Sequence, residues 1–214
     1  PGFRYGAALS ELNGRATLRL AQAPLLPLEF EGVADAVERF LTDLEAATER
    51  QRAAQRHRAA RLADGSYALA LDPLDNIAPP APREPVPYFN FAPLKNAHAA
   101  LADAAARFGE LTSQPELIPA SVRSSVDRHL AQAEALLTDP AGLPRRPWFR
   151  HTLYAPGFYT GYGVKTLPAV REAIEEEEFD QVPREVARTA GRIRALADHI
   201  ESINALLTDG ATAP

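Results

Sequence analysis

Residues 136–162 read LLTDPAGLPRRPWFRHTLYAPGFYTGY. Pro140, Pro144, Pro147 and Pro156 break this stretch, so the chain must run extended or turning through most of it. The same stretch gathers Trp148, Phe149, Tyr154, Phe158, Tyr159 and Tyr162. An irregular segment this long and this apolar needs a surface to pack on, and long ordered loops in compact domains usually carry function.

Helical periodicity flanks the loop on both sides. Upstream, residues 6–22 keep Ala8, Leu9, Leu12, Ala16 and Leu20 on one face, and Pro24 and Pro27 end that pattern. A helix over roughly 31–62 follows, with Val33, Val37, Phe40 and Leu44 on one side, and Asp64-Gly65 stops it. Its later half holds Arg50, Arg52, Arg56, Arg58 and Arg61 and reads as a solvated face. Residues 66–93 carry Pro73, Pro79, Pro80, Pro82, Pro85 and Pro87. They predict an irregular excursion, with Tyr67 to Leu71 as a short strand or extended piece. Helices are predicted at about 93–112, with Leu94, Leu101 and Phe108 inward, and at about 119–138, with Val122, Val126, Leu130, Ala133 and Leu137 inward.

Downstream, Thr166 reads as an N-cap and Pro168 as a first-turn residue of a short helix over 167–177. The last helix starts at Pro183, and Gly210 is expected to end it. Val182, Val186, Thr189, Ile193, Leu196, Ile200, Ile203 and Leu207 recur four and three apart. This seam is either the contact of a two-fold dimer or the core of the monomer. The expected fold is all-α: a bundle of about four principal helices with a long Pro-rich excursion and the aromatic loop.

The ordered series Asp139-Pro140, Gly142-Leu143-Pro144, Arg146-Pro147, Phe149-Arg150-His151 and Tyr154-Ala155-Pro156 resembles a signature of the transferrin-receptor-like dimerisation domain. That domain closes the glutamate-carboxypeptidase branch of the zinc-dependent exopeptidases. The resemblance extends over nearly the whole chain and is weakest at residues 64–90. It implies that residues 1–30 are the last helix and exit segment of a peptidase domain, and that residues 31–214 are the dimerisation domain. The signature residues Asp139, Pro140, Gly142, Pro144, Arg146, Pro147, Arg150, His151, Tyr154 and Pro156 would shape the loop. The partners implied are a second copy of the chain and the peptidase domains of both copies. A relative that has lost its metals, serving as a non-catalytic receptor, is the alternative.

In that family a Lys-Tyr pair after Tyr-Ala-Pro binds the carboxylate of a C-terminal glutamate-like residue. The resemblance puts the tyrosine at Tyr162 and the lysine at Gly161, which departs from the pattern. Lys165 lies nearby. Tyr162 is therefore either a substrate contact or a packing residue, while Phe158 and Tyr159 are expected to pack.

The chemistry of a peptidase is not written in these residues. His57, His98, His129, His151 and His199 are scattered, and no HExxH pairing occurs. No serine lies in a nucleophile-elbow context. Glu175 to Glu178 reads as a solvated helix end, and His151 as a partner for buried polar groups. The expectation is a chain with no catalytic residue, metal ligand or cofactor of its own, with zinc bound in the peptidase domain upstream. Net charge is −5, with 23 basic and 28 acidic residues, which disfavours nucleic acid. The sequence contains no Cys, which excludes disulfides, and no Met. Pro1-Gly2-Phe3-Arg4-Tyr5 reads as mid-protein sequence, so a piece of a longer or processed chain is expected. No membrane-length apolar run or signal peptide is present, and the compartment is left open.

Overall fold

A computed structural model describes residues 2–72, 74, 77–160 and 162–212. The fold is all-α. The elements are α1 (Arg4–Ala21), α2 (Glu31–Ala63), α3 (Ser66–Leu69), α4 (Ala92–Leu111), α5 (Ala120–Leu130), β1 (Tyr154–Pro156), β2 (Val164–Thr166), α6 (Pro168–Glu175) and α7 (Val182–Thr212). Short 3₁₀ turns lie at Pro115–Leu117 and Glu134–Leu137.

The core is built on α7. Val186, Ile193, Leu196, Ile200, Ile203 and Leu207 are all buried within the monomer. They pack against Leu94, Ala97, Leu101, Ala104 and Phe108 of α4. Asn204 donates to the Ala104 carbonyl (3.0 Å) while Arg107 reaches Glu201, so α4 and α7 run antiparallel. The seam is thus the core of the monomer and is not free to join two copies. Each such side chain contributes about 1.5–3 kcal/mol by leaving water. Helix α2 lays Ala34, Val37, Leu41 and Leu44 on α4, and Phe30 closes that end edge-on to Phe108, with ring centroids 5.1 Å apart. Leu25 of the connector is also buried. The Leu26 N–H donates to Asp127 of α5 (2.8 Å).

In contrast, α1 buries none of its residues. Phe3, Leu9, Leu12, Leu18 and Leu20 all face solvent.

Several expectations need correction. The helix predicted over 119–138 ends at Leu130 and tightens into a 3₁₀ turn, because His199 of α7 donates to the His129 carbonyl (2.8 Å) and the chain closes locally. Tyr67 to Leu71 is no strand: Gly65 turns at φ 75° and a single helical turn follows. Thr166 does not cap α6. It lies in β2, and Leu167 takes the cap position in a left-handed conformation. Gly210 does not end α7, which runs through Thr212. A Cβ at Gly210 would sit 2.3 Å from Val122 Cγ2, so the glycine serves close approach to α5.

The Pro-rich excursion is irregular but held. Arg52 donates to the carbonyls of Val86 and Pro87, Arg58 donates to that of Ala81 (3.1 Å), and Gln55 accepts the Val86 N–H (2.9 Å). Two of the five arginines in the later half of α2 are therefore structural grips rather than a solvated face. Pro73 of this stretch lies outside the described residues.

Candidate functional site

The aromatic loop has a base and a tip. The base begins where Thr138 pairs with His151 across an isolated bridge. Thr152 N–H and Oγ1 both donate to the Leu137 carbonyl, at 2.9 and 2.7 Å. Asp139 turns the chain: Oδ1 accepts the Ala141 N–H (2.9 Å), and its own N–H donates to the Arg150 carbonyl (2.8 Å). Oδ2 accepts Arg188 Nε of α7 (3.0 Å), with Arg192 close by. Burial opposes the charge on Asp139. The Arg188 and Ala141 hydrogen bonds, with the charges of Arg188 and Arg192, outweigh it and hold the carboxyl below the usual range.

Gly142 has φ 68°, and a Cβ there would lie 2.2 Å from the Pro147 carbonyl oxygen. Only glycine fits such a close pass. Arg188 Nη2 donates to the Gly142 carbonyl (2.7 Å), and Nη1 to Glu185, which is wholly buried on α7. One arginine of α7 therefore grips both ends of the Asp-Pro-x-Gly turn.

Arg146 is 3% exposed. Its Nη2 donates to both oxygens of Glu172, at 2.8 and 2.6 Å, and its Nη1 to the Pro156 carbonyl (2.6 Å). Glu172 also accepts the Phe158 N–H (2.9 Å). This buried pair locks the start of the tip to α6. Phe149 closes the small cluster of Leu143, Ala155 and Ala169. Pro140 and Arg150 are exposed, while Pro144 and Pro156 flank the buried turns.

His151 stacks on Tyr154, with centroids 4.0 Å apart. Its Nδ1 accepts the Leu153 N–H (3.3 Å), and its buried Nε2 has no hydrogen-bond partner, with Glu134 4.0 Å away. Burial pushes the imidazole pKa down, and the Glu134 charge offsets this in part. Tyr154 is pushed up by burial and by Glu134. Behind this ring pair lies an apolar groove of about 450 Å³ lined by Phe30, Val33, Phe40, Leu137 and Leu153.

The tip is the turn between β1 and β2, which pair antiparallel from Tyr154–Thr166 to Pro156–Val164. Gly157 N–H donates to the Gly163 carbonyl (2.9 Å) and closes the turn. Phe158 lies under Arg145, whose guanidinium carbon sits 4.2 Å from the ring centroid. Tyr159 and Tyr162 project into solvent, Tyr159 at 76% exposure and Tyr162 fully. Phe158 is 38% exposed and meets the Arg145 and Arg146 guanidiniums and the Tyr159 ring rather than a hydrophobic helix, so the packing expected of Phe158 and Tyr159 is not found. Tyr162 overhangs a shallow groove lined by Trp148, Tyr154, Pro156 and Val164. Lys165 pairs with Glu175 of α6. Gly161, where the signature's lysine would fall, lies outside the described residues.

Glu175 to Glu178 are not a solvated end. Glu175 holds Lys165, Glu176 holds Arg145, Glu177 takes Arg83 (2.6 Å) and Gln55 (3.3 Å), and Glu178 accepts Gln181 (2.9 Å). Sequence reasoning missed these partners and missed Glu172. Glu172 had left one trace: a carboxylate among Ala169, Val170, Ala173 and Ile174 on the buried face of α6 calls for a buried cation. Among the described residues no group of three or more His, Asp or Glu side chains could hold a metal ion, and no helix is long and apolar enough to cross a membrane.

The loop and the helices that hold it fall inside residues 89–201, which match a family model described as the transferrin receptor-like dimerisation domain. Two curated relatives are similar over shorter stretches. A probable glutamate carboxypeptidase of Arabidopsis thaliana is 38% identical over 80 residues, 34% of this chain and 12% of the relative. A probable glutamate carboxypeptidase of Arthroderma benhamiae is 36% identical over 61 residues, 28% of this chain and 8% of the relative. The matched stretches thus span about a tenth of the length of these relatives.

Proposed function

As the chain belongs to the transferrin receptor-like dimerisation domain family, we propose that it joins two protomers of a longer, glutamate-carboxypeptidase-like zinc peptidase. In this reading it also lends residues 157–163 to that enzyme's substrate pocket. The chain supplies no catalytic group. Zinc and its ligands belong to the peptidase domain, where α1 is assigned with the exit segment up to residue 30. Support for that assignment is the bare apolar face of α1, which has no partner in the bundle. Leu25 and Phe30 are seated in the bundle core, so the exit segment reaches into the dimerisation domain.

The observation that carries the pocket reading is the contrast inside the loop. A buried Arg146–Glu172 pair fixes the stem, and a wholly exposed Tyr162 stands at the tip. A rigid mount with an unpacked phenol suits a contact made outside the chain. The Tyr162 hydroxyl would donate to a substrate carboxylate. Lys165 is held by Glu175, so it is not free to stand in for the lysine of the signature.

Sedimentation equilibrium of the 214-residue chain tests the dimerisation reading. A two-fold dimer at tens of micromolar is expected, since closed two-fold pairs are the commonest assembly. A monomer at that concentration would overturn a dimer held together by this chain alone. In the longer protein, Gly161→Lys is expected to raise preference for substrates ending in glutamate. Unchanged preference counts against the pocket reading.

A further inference from the structure

With the α7 seam consumed inside the monomer, another face has to carry self-association, and α2 offers one. We propose that two copies pair α2 against α2 in antiparallel fashion, with the acidic first half of one helix along the basic second half of the other. This rests on the dimerisation reading above and names the surface that performs it.

The helix is 33 residues long, about 50 Å at 1.5 Å per residue. From Glu31 to Glu49 it holds six acids and one arginine, and from Arg50 to Ala63 five arginines and no acid. One side is committed within the chain: Val37, Leu41 and Leu44 to the core, and Arg52, Gln55 and Arg58 to the Pro-rich segment. The opposite side carries Asp35, Glu38, Asp43, Arg50, Arg56 and Arg61, all exposed. Asp35, Glu38, Asp43, Arg50 and Arg56 form no salt bridge with any other described residue.

The spacing makes this face self-complementary. Glu38 and Arg56 are five helical turns apart and share one edge, and Asp43 and Arg61 share the other in the same way. Between the edges run Ala46, Ala53 and Ala60, two turns apart, interspersed with the exposed Thr42, Glu49 and His57. A two-fold axis crossing the helix near residues 49 and 50 lays the acidic half of one copy along the basic half of the other, with the Glu38–Arg56 and Asp43–Arg61 pairs each staggered by about 7.5 Å along its edge, and a parallel pairing would set like against like. Two-fold contacts require such a self-matching patch, and complementary charge selects the arrangement. Arg39 is the exception, a lone cation in the acidic half.

Charge reversal in the full chain tests this. An acid-free variant (Asp35→Lys, Glu38→Lys, Asp43→Lys) and a base-free variant (Arg50→Glu, Arg56→Glu, Arg61→Glu) are each expected to dimerise about tenfold or more weakly than the parent chain. An equimolar mixture is expected to recover association as a heterodimer, and 1 M salt to weaken both the parent dimer and the mixed one. Helical content by circular dichroism should be unchanged, since every substituted side chain is exposed. Variants that dimerise as tightly as the parent chain would overturn the α2 contact and leave the dimerisation reading intact. A mixture that fails to associate would also overturn it. A parent chain that is itself monomeric would defeat both.

Discussion

Arg146 at the base of the aromatic loop is 3% exposed, and Tyr162 at its tip is fully exposed. Both belong to one continuous stretch of Pro, Gly, Arg and aromatic residues. At the base, guanidiniums and carboxylates are buried in pairs and the backbone makes turns that only certain residues fit. At the tip a short hairpin holds aromatic rings away from the bundle. Composition alone does not separate the two. The difference comes from what each half meets: α6 and α7 carry Glu172, Glu185 and Arg188 to the base, and the tip meets little beyond Arg145 over the Phe158 ring and the Glu172 carboxylate on the Phe158 N–H.

The strongest way to break the contrast is to remove one partner at the base. Glu172→Gln leaves Arg146 buried without a counter-charge and turns one of its two acceptor oxygens into a donor amide facing the guanidinium, and a loss of about 3–5 kcal/mol is expected. Chemical denaturation reads this directly, and a loss below 1 kcal/mol would make the base an ordinary surface loop. Gly142→Ala comes next. It forces a methyl group onto the Pro147 carbonyl at positive φ, and a loss of about 2–4 kcal/mol is expected.

Acid sharpens the comparison further. His151 is held neutral by burial, so below its unfolded pKa of about 6.5 the unfolded chain takes up the proton first and stability falls with pH. Asp139 has the lowered carboxyl pKa of an ion-paired group. Its contribution is full above about pH 4 and is lost as pH falls through its folded value. Thermal unfolding from pH 8 to 5 should show the first decline, and His151→Asn should flatten it. An unchanged slope would put the histidine outside the base.

At the tip, Tyr162→Phe should alter stability by no more than about 0.5 kcal/mol. In the longer protein the same change should lower catalytic efficiency about tenfold or more on substrates with a free C-terminal carboxylate, the worth of one hydrogen bond to a charge. Full activity in that variant would reduce the tip to an exposed turn.

Much of this molecule was legible in its sequence. The ends of α2, α4 and α6 fall within about two residues of the expected positions, because strong apolar periodicity and Pro or Gly punctuation coincide there. The signature in residues 139–156 pointed to the family, which the match over residues 89–201 shows. The misses share a cause. Gly210, Thr166 and Glu175 to Glu177 were read by local rules, yet each is set by a neighbour outside its own turn: Val122, the β1 pairing, and the cations of three separate segments. The role of the α7 seam was open for the same reason, since a periodic face does not say which surface covers it.

The grip of α2 on the Pro-rich segment has an evolutionary consequence. Arg52, Gln55 and Arg58 hold carbonyls and an N–H of residues 81–87, and carbonyls carry no side-chain identity. The course of that segment is therefore encoded in the helix beside it. Residues 81–87 are free to drift so long as the turns persist, whereas Arg→Lys at position 52, which removes the fork spanning two successive carbonyls, is not conservative. Among descendants of this sequence, variation should accumulate in the segment that is held and spare the three side chains that hold it.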